Sequence, residues 1–124
     1  MIRGLGCDVC AISRMQKILE NPRFLERWFT AYEREYIEAR KNSAHTAAGI
    51  FAAKEAFVKA LGAGFGALTP EKVGIRHDGQ GAPCYEINEA METAMKQKGA
   101  SVAHLSISHD GDVAMAVAIL EGAE

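Results

Sequence analysis

The segment Phe51-Ala-Ala-Lys-Glu-Ala-Phe-Val-Lys-Ala-Leu-Gly62 constrains the fold more than any other part of the chain. It is rich in strong helix formers, and Phe51, Ala52, Ala53, Ala56, Phe57 and Val58 make it apolar nearly all round. A helix of that kind lies at the centre of a domain, so Lys54, Glu55 and Lys59 are enclosed charges that need a partner or a function. Ser43 or Thr46 can cap its start, and Gly62 can end it in the left-handed conformation. Glu55 and Lys59 stand at i, i+4, so a carboxylate and an ammonium project together, with Lys54 beside them.

Around this helix the pattern predicts an α+β chain in the order β-α-α-α-β-β-α-β-β, with a mostly antiparallel sheet packed against the long central helix. Ile2–Val9 reads as a strand whose Gly4 and Gly6 let another backbone or a ligand come close. Ile12, Met15, Ile18 and Leu19 recur at helical spacing up to Asn21-Pro22. Thr30 and Glu33 form a capping box that starts a helix at Ala31. Gly62, Gly64 and Gly66 make a loop suited to a ligand's approach. Val73–His77 and Pro83–Ile87 form a hairpin through Asp78-Gly-Gln-Gly, and Asn88 opens a helix that Gly99 closes. Val102–Ser108 and Val113–Leu120 form a second hairpin, whose last strand turns Ala114, Ala116 and Ala118 to one face.

The 124 residues are expected to fold as one domain, residues 1–124. With 14 Lys and Arg against 16 Asp and Glu, the chain has no overall basic character to favour nucleic acid. Arg14, Lys17, Arg23 and Arg27, interleaved with Met15, Phe24 and Trp28, instead suit an acidic protein partner. No apolar run spans a membrane and no signal peptide opens the chain, so a cytoplasmic location is expected, with Cys7, Cys10 and Cys84 reduced. The Cys7–Cys10 spacing lacks the second pair of a four-ligand zinc site, and both are read as small buried residues.

Asp8, inside Gly-Leu-Gly-Cys-Asp-Val, is a carboxylate in strand-core surroundings. Asp8 and Glu55 together offer hard oxygen ligands of the kind Mg²⁺ takes, and Lys59 could meet a phosphate. A surface ion pair and a helix cap are the plain alternatives. Ser106-Ile-Ser108-His109-Asp110 places hydroxyls and an imidazole at a strand end, but neighbours on a strand face opposite ways and cannot form one proton relay.

Four collinear segments resemble the holo-acyl-carrier-protein synthases, the small group of the 4′-phosphopantetheinyl transferases. Gly4-Leu-Gly-Cys-Asp8-Val is similar to their G-I-G-x-D-I element, and Arg23-Phe24, Arg27, Phe29-Thr30 and Glu33 to their R-F, R-x-F-T-x-x-E element. Phe51 to Gly62 resembles F-A-A-K-E-A-x-x-K-A-x-G, and Ser106-Ile-Ser-His109 the closing S-I-S-H. The resemblance implies the phosphopantetheinyl transferase fold and transfer of 4′-phosphopantetheine from coenzyme A to a serine of an acyl carrier protein, with release of adenosine 3′,5′-bisphosphate for fatty acid biosynthesis. It implies Asp8, Glu55 and Lys59 as catalytic residues, with Asp8 and Glu55 on Mg²⁺. Lys54, Lys59, Gly62, Ser108 and His109 would hold coenzyme A, the last two reaching across from a neighbouring subunit of a homotrimer. Arg14, Arg23, Phe24 and Arg27 would dock the carrier, and Glu55 or a metal-bound water would take the serine proton. Ile50 departs from the pattern, which usually has Arg before F-A-A-K-E-A; one phosphate or carrier contact is lost there unless another cation supplies it. A carrier- or coenzyme-A-binding module without catalysis and a Mg²⁺-dependent nucleotide hydrolase are the alternatives, and the retained Asp8, Glu55 and Lys59 weigh against the former.

Overall fold

The computed structural model describes residues 1–123. The chain runs β1 (Ile2–Ala11), α1 (Ile12–Ile18), α2 (Pro22–Trp28), α3 (Ala31–Glu38), α4 (Ser43–Ala60), β2 (Gly74–His77), β3 (Pro83–Glu86), α5 (Glu89–Gln97), β4 (Val102–Asp110) and β5 (Val113–Glu121). This is the α+β order expected from the sequence with one short helix, α2, added. Pro22 sits in its first turn and the Asn21 side chain accepts from the Arg23 amide, so the Asn-Pro pair that ends α1 also starts α2. The expected capping box at Thr30 and Glu33 is complete at the start of α3. Gly62, with φ of 78°, closes the turn after α4.

The strands form two antiparallel sheets, β1-β5-β4 and β2-β3. In the first, β5 is central: Cys10 and His109 flank Ala114, and Asp8 and Ile107 flank Ala116. The buried face of β5, Ala114, Ala116 and Ala118, is fully covered, and α4 packs on it and on β1. Two glycines make that packing possible. A Cβ on Gly6 would run into the Ala56 carbonyl oxygen and come within 2.6 Å of the Ala60 amide nitrogen, and one on Gly4 would meet the Ala60 carbonyl. The glycines of β1 therefore admit the backbone of α4, leaving no side chain between strand and helix.

Cys7 and Cys10 lie on opposite faces of β1, Cys10 buried and Cys7 exposed, which corrects the expectation that both are buried. No helix among the described residues is long and apolar enough to cross a membrane.

Gly6→Ala is expected to destabilise the chain by about 3 kcal/mol, since strand and helix must separate to admit a methyl group. Gly64→Ala, where no atom lies within 4 Å of the new Cβ, serves as the control. Chemical denaturation of the two variants checks this, and equal midpoints would refute the close-packing account.

Candidate active site

The two lysines of α4 have different fates. Lys54 is wholly buried, and its ammonium donates to Glu33 Oε1 at 2.8 Å and to the Pro70 and Val73 carbonyls at 2.8 and 2.7 Å. All three of its donors are used. Glu33 is equally buried; its Oε1 also accepts from the Thr30 amide, while Oε2 accepts from the Ile75 amide at 2.8 Å. Burial pulls the Lys54 pKa down, and Glu33 opposes that shift. The pair joins α3 and α4 to the 3-10 turn Pro70–Lys72 and to β2. Lys54 is thus not available to hold a coenzyme, which corrects its expected role: its charge is spent inside the chain. The sequence revealed Glu33 only as a cap, although a lysine in an apolar helix had already called for a partner.

One turn further along α4 the charges reach the surface. Lys59 Nζ donates to Asp8 Oδ1 at 2.9 Å and to the Cys7 carbonyl at 3.2 Å, so its ion pair runs across to β1 rather than along the helix to Glu55. The Asp8 side chain is 15% exposed and that of Lys59 51%. The hydrogen bond to Asp8 holds the Lys59 pKa up. Burial pushes the Glu55 carboxyl above the usual carboxylate range, and the nearby negative charge of Asp8 pushes it further. Lys59 and Arg14 pull in the other direction. Arg14, on α1, also lies within 3.9 Å of the Cys10 sulfur, at the rim of the same site.

Two carboxylates that repel each other beside a partly enclosed surface suit a divalent cation, whose charge would relieve both the repulsion and the desolvation. Among the described residues no three His, Cys, Asp or Glu side chains converge. Mg²⁺, which is commonly held by one or two carboxylates together with water and substrate phosphate, matches that donor set.

Beside this cluster, the Phe51 ring lies one turn before Glu55 and packs on Trp28, with centroids 4.8 Å apart; Trp28 meets Phe65 of the glycine loop edge-on at 5.4 Å. Phe24 stacks on Trp28 at 5.3 Å, so its ring belongs largely to this aromatic cluster, while Arg23 and Arg27 remain exposed. Arg27, Trp28, Phe65 and Thr69 line an open cavity of about 590 Å³.

Ser108 and His109 do not join Asp8, Glu55 and Lys59 within one chain. Ser108 points to the outer sheet face opposite Met115, whereas His109 lies on α4 at Gly49, where a Cβ would come within 3.1 Å of its Nε2. That nitrogen donates to the His45 carbonyl at 2.9 Å. Gly49 and Lys59 are about 15 Å apart along the helix axis and roughly a quarter turn around it. Strand alternation turns the Ser108 and His109 side chains to opposite faces of β4. Gly62 has a conformational part, as the left-handed residue ending α4.

The protonation of Glu55 yields a stability test. Its pKa is raised in the folded chain, so its ionised form costs stability at neutral pH, and the cost disappears once the pH falls below the ordinary carboxylate pKa of about 4.3. Glu55→Gln is therefore expected to melt at a higher temperature than the parent at pH 7 without metal, with the gap closing at low pH. Mg²⁺ should raise the melting temperature of the parent and not of the variant. Scanning calorimetry with and without Mg²⁺ reads both effects; an unchanged or lower melting temperature for Glu55→Gln at pH 7 would contradict the electrostatic account.

The family model of the 4′-phosphopantetheinyl transferase superfamily matches residues 4–118. A holo-[acyl-carrier-protein] synthase of Anaeromyxobacter dehalogenans is 44% identical over 132 aligned residues, covering 99% of this chain and 98% of the relative. The crystal structure of holo-[acyl-carrier-protein] synthase from Neisseria meningitidis superposes with a TM-score of 0.88 at 31% identity, covering 98% of this chain and 99% of that one. The holo-(acyl-carrier-protein) synthase of Bacillus anthracis, solved in complex with CoA (3′,5′-ADP), superposes with a TM-score of 0.83 at 33% identity over 99% of both chains.

Proposed function

The chain belongs to the 4′-phosphopantetheinyl transferase superfamily, in its holo-[acyl-carrier-protein] synthase group, and on that premise we propose that it moves 4′-phosphopantetheine from coenzyme A to a serine of apo-acyl carrier protein with the aid of Mg²⁺. The observation that carries this reading is the Asp8, Glu55 and Lys59 cluster on β1 and α4, two carboxylates and an ammonium at a partly enclosed surface. In the reaction the serine hydroxyl gives its proton to Glu55 or a water as its oxygen bonds to phosphorus in line, the bridging P–O bond breaks, and adenosine 3′,5′-bisphosphate leaves with the electron pair. Asp8 and Glu55 would hold Mg²⁺, which when bound would offset charge on the pyrophosphate oxygens. Lys59, half exposed and already hydrogen-bonded to Asp8, is the donor suited to the leaving phosphate. The Arg14, Arg23 and Arg27 face beside the aromatic cluster would receive the acidic carrier.

The same reading includes a homotrimer with active sites between subunits. Two features of the chain support it. His109 lies well away from Lys59 along α4, so a coenzyme held by both is best bound across two copies. The outer face of the three-stranded sheet also exposes Leu5, Val9, Val113 and Met115, with Leu5 beside Ile119 and Val9 beside Met115. An apolar strand face left in contact with water is a self-association surface.

Intact-mass spectrometry of apo-acyl carrier protein incubated with this protein, coenzyme A and Mg²⁺ tests the activity. The expected result is a Mg²⁺-dependent gain of one phosphopantetheine, reduced about 100-fold or more by Glu55→Gln. No gain with any of several carriers would overturn the assignment.

Met115→Glu is expected to shift the assembled protein towards monomer in light scattering, because it places a charge on the apolar sheet face. An unchanged mass would show that this face is not the interface.

A further inference from the structure

α1 begins without a cap of its own. It has seven residues, and Ala11, immediately before it, offers no side-chain acceptor to the first amides. The acceptors come from the far end of the chain. Asp112, in the two-residue turn between β4 and β5, accepts from the Ile12 amide on its backbone carbonyl at 2.8 Å. Its Oδ1 accepts from the Ser13 amide at 2.8 Å and its Oδ2 from the Ser13 hydroxyl at 2.6 Å. Gly111, with φ of 57°, makes the turn that aims Asp112 at α1, and the pairing of Ala11 with Val113 carries the β1–β5 register up to the same point.

A helix of two turns is not stable by itself, so α1 is held by its contacts. Ile12 and Met15 are buried in the core, which fixes its inner face. Arg14 lies between them on the exposed side, next in sequence to the residue that Asp112 holds. Its guanidinium comes within 3.9 Å of Cys10 Sγ, and it takes part in none of the ion pairs among the described residues. The direction of Arg14 is therefore set by the first turn of α1 and not by a partner for its charge, and that turn is closed by a carboxylate about 100 residues away.

We propose that Asp112 is a positioning residue for carrier recognition: by holding the first turn of α1 it directs Arg14 toward the acidic carrier. The proposal rests on the docking face given above and adds to it a residue that acts only through the helix. The charge of Asp112 would itself repel an acidic partner, so a favourable effect on carrier affinity has to come through α1.

The test is calorimetric titration with apo-acyl carrier protein and with coenzyme A, for the parent, Asp112→Ala, Asp112→Asn, Arg14→Ala and Arg14→Ala/Asp112→Ala. Melting temperatures confirm that each variant folds, and hydrogen exchange over residues 12–18 reads the helix directly. Alanine and asparagine remove the charge equally, but asparagine keeps an oxygen for the Ser13 amide and caps helices about as well as aspartate. Asp112→Ala should bind the carrier about fivefold more weakly, with faster exchange in α1, while Asp112→Asn stays within about twofold of the parent. Coenzyme A affinity should be unchanged throughout, and in transfer assays the loss should appear in KM for the carrier with kcat unaltered. In the Arg14→Ala background, Asp112→Ala should add no further loss. Carrier affinity unchanged or improved in Asp112→Ala, an equal loss in Asp112→Asn, a further loss on top of Arg14→Ala, or a parallel fall in coenzyme A affinity would each overturn the proposal. Carrier affinity unaffected by Arg14→Ala would remove the docking face and the proposal with it. Failure of phosphopantetheine transfer with this pattern of carrier binding intact would strike the activity and spare the role of Asp112.

Discussion

The seating of the α4 backbone directly on Gly4 and Gly6 of β1 is the constraint on which the rest of the structure depends. Helix and strand meet without intervening side chains, and the alanine face of β5 continues the same close surface. That proximity brings Asp8, two residues after Gly6, within hydrogen-bonding distance of Lys59. Larger residues at the glycines would hold strand and helix apart and separate the carboxylate from the ammonium. Packing and chemistry therefore share one cause.

Along α4 the dielectric environment changes over little more than a turn. Lys54 lies where water is excluded, so its charge is tolerated only because Glu33 and two carbonyls enclose it; removing one member of such a pair typically costs about 3–5 kcal/mol. Lys59 lies where water enters, and its ion pair with Asp8 can exchange for a bound phosphate at modest cost. Glu55, between these regimes, carries a raised pKa because burial and Asp8 both oppose its charge. Repulsion between the two carboxylates is thus as much a part of this surface as the attraction of Lys59. The buried pair has a further consequence: Lys54 grips Pro70 and Val73, so the far end of the glycine-rich loop is tied to the helix that bears Glu55.

Much of this was legible in the order of residues, and the legible parts are local. The capping box at Thr30 and Glu33, the stop at Gly62 and the two hairpins follow from interactions spanning a few residues, which side-chain type alone specifies. Helical spacing alone does not show the extra helix α2, because Asn21-Pro22 marks the end of one helix while a proline in the first turn and an asparagine cap begin another equally well. Lys54 and Glu55 are adjacent in sequence, yet neighbours on a helix are about 100° apart, enough to send one inward and the other to the rim.

The sequence by itself determined that a helix apolar on nearly every side must be central, that Gly4 and Gly6 admit a close neighbour, and that Asp8, Glu55 and Lys59 are charges in need of a purpose. Only the tertiary structure decided that β5 lies between β1 and β4, that Lys54 pairs with Glu33 and that Lys59 turns to Asp8. Periodicity and capping report which way a residue faces within its own element. Which distant residue it meets depends on how whole faces stack, and that is settled by the joint packing of all the elements.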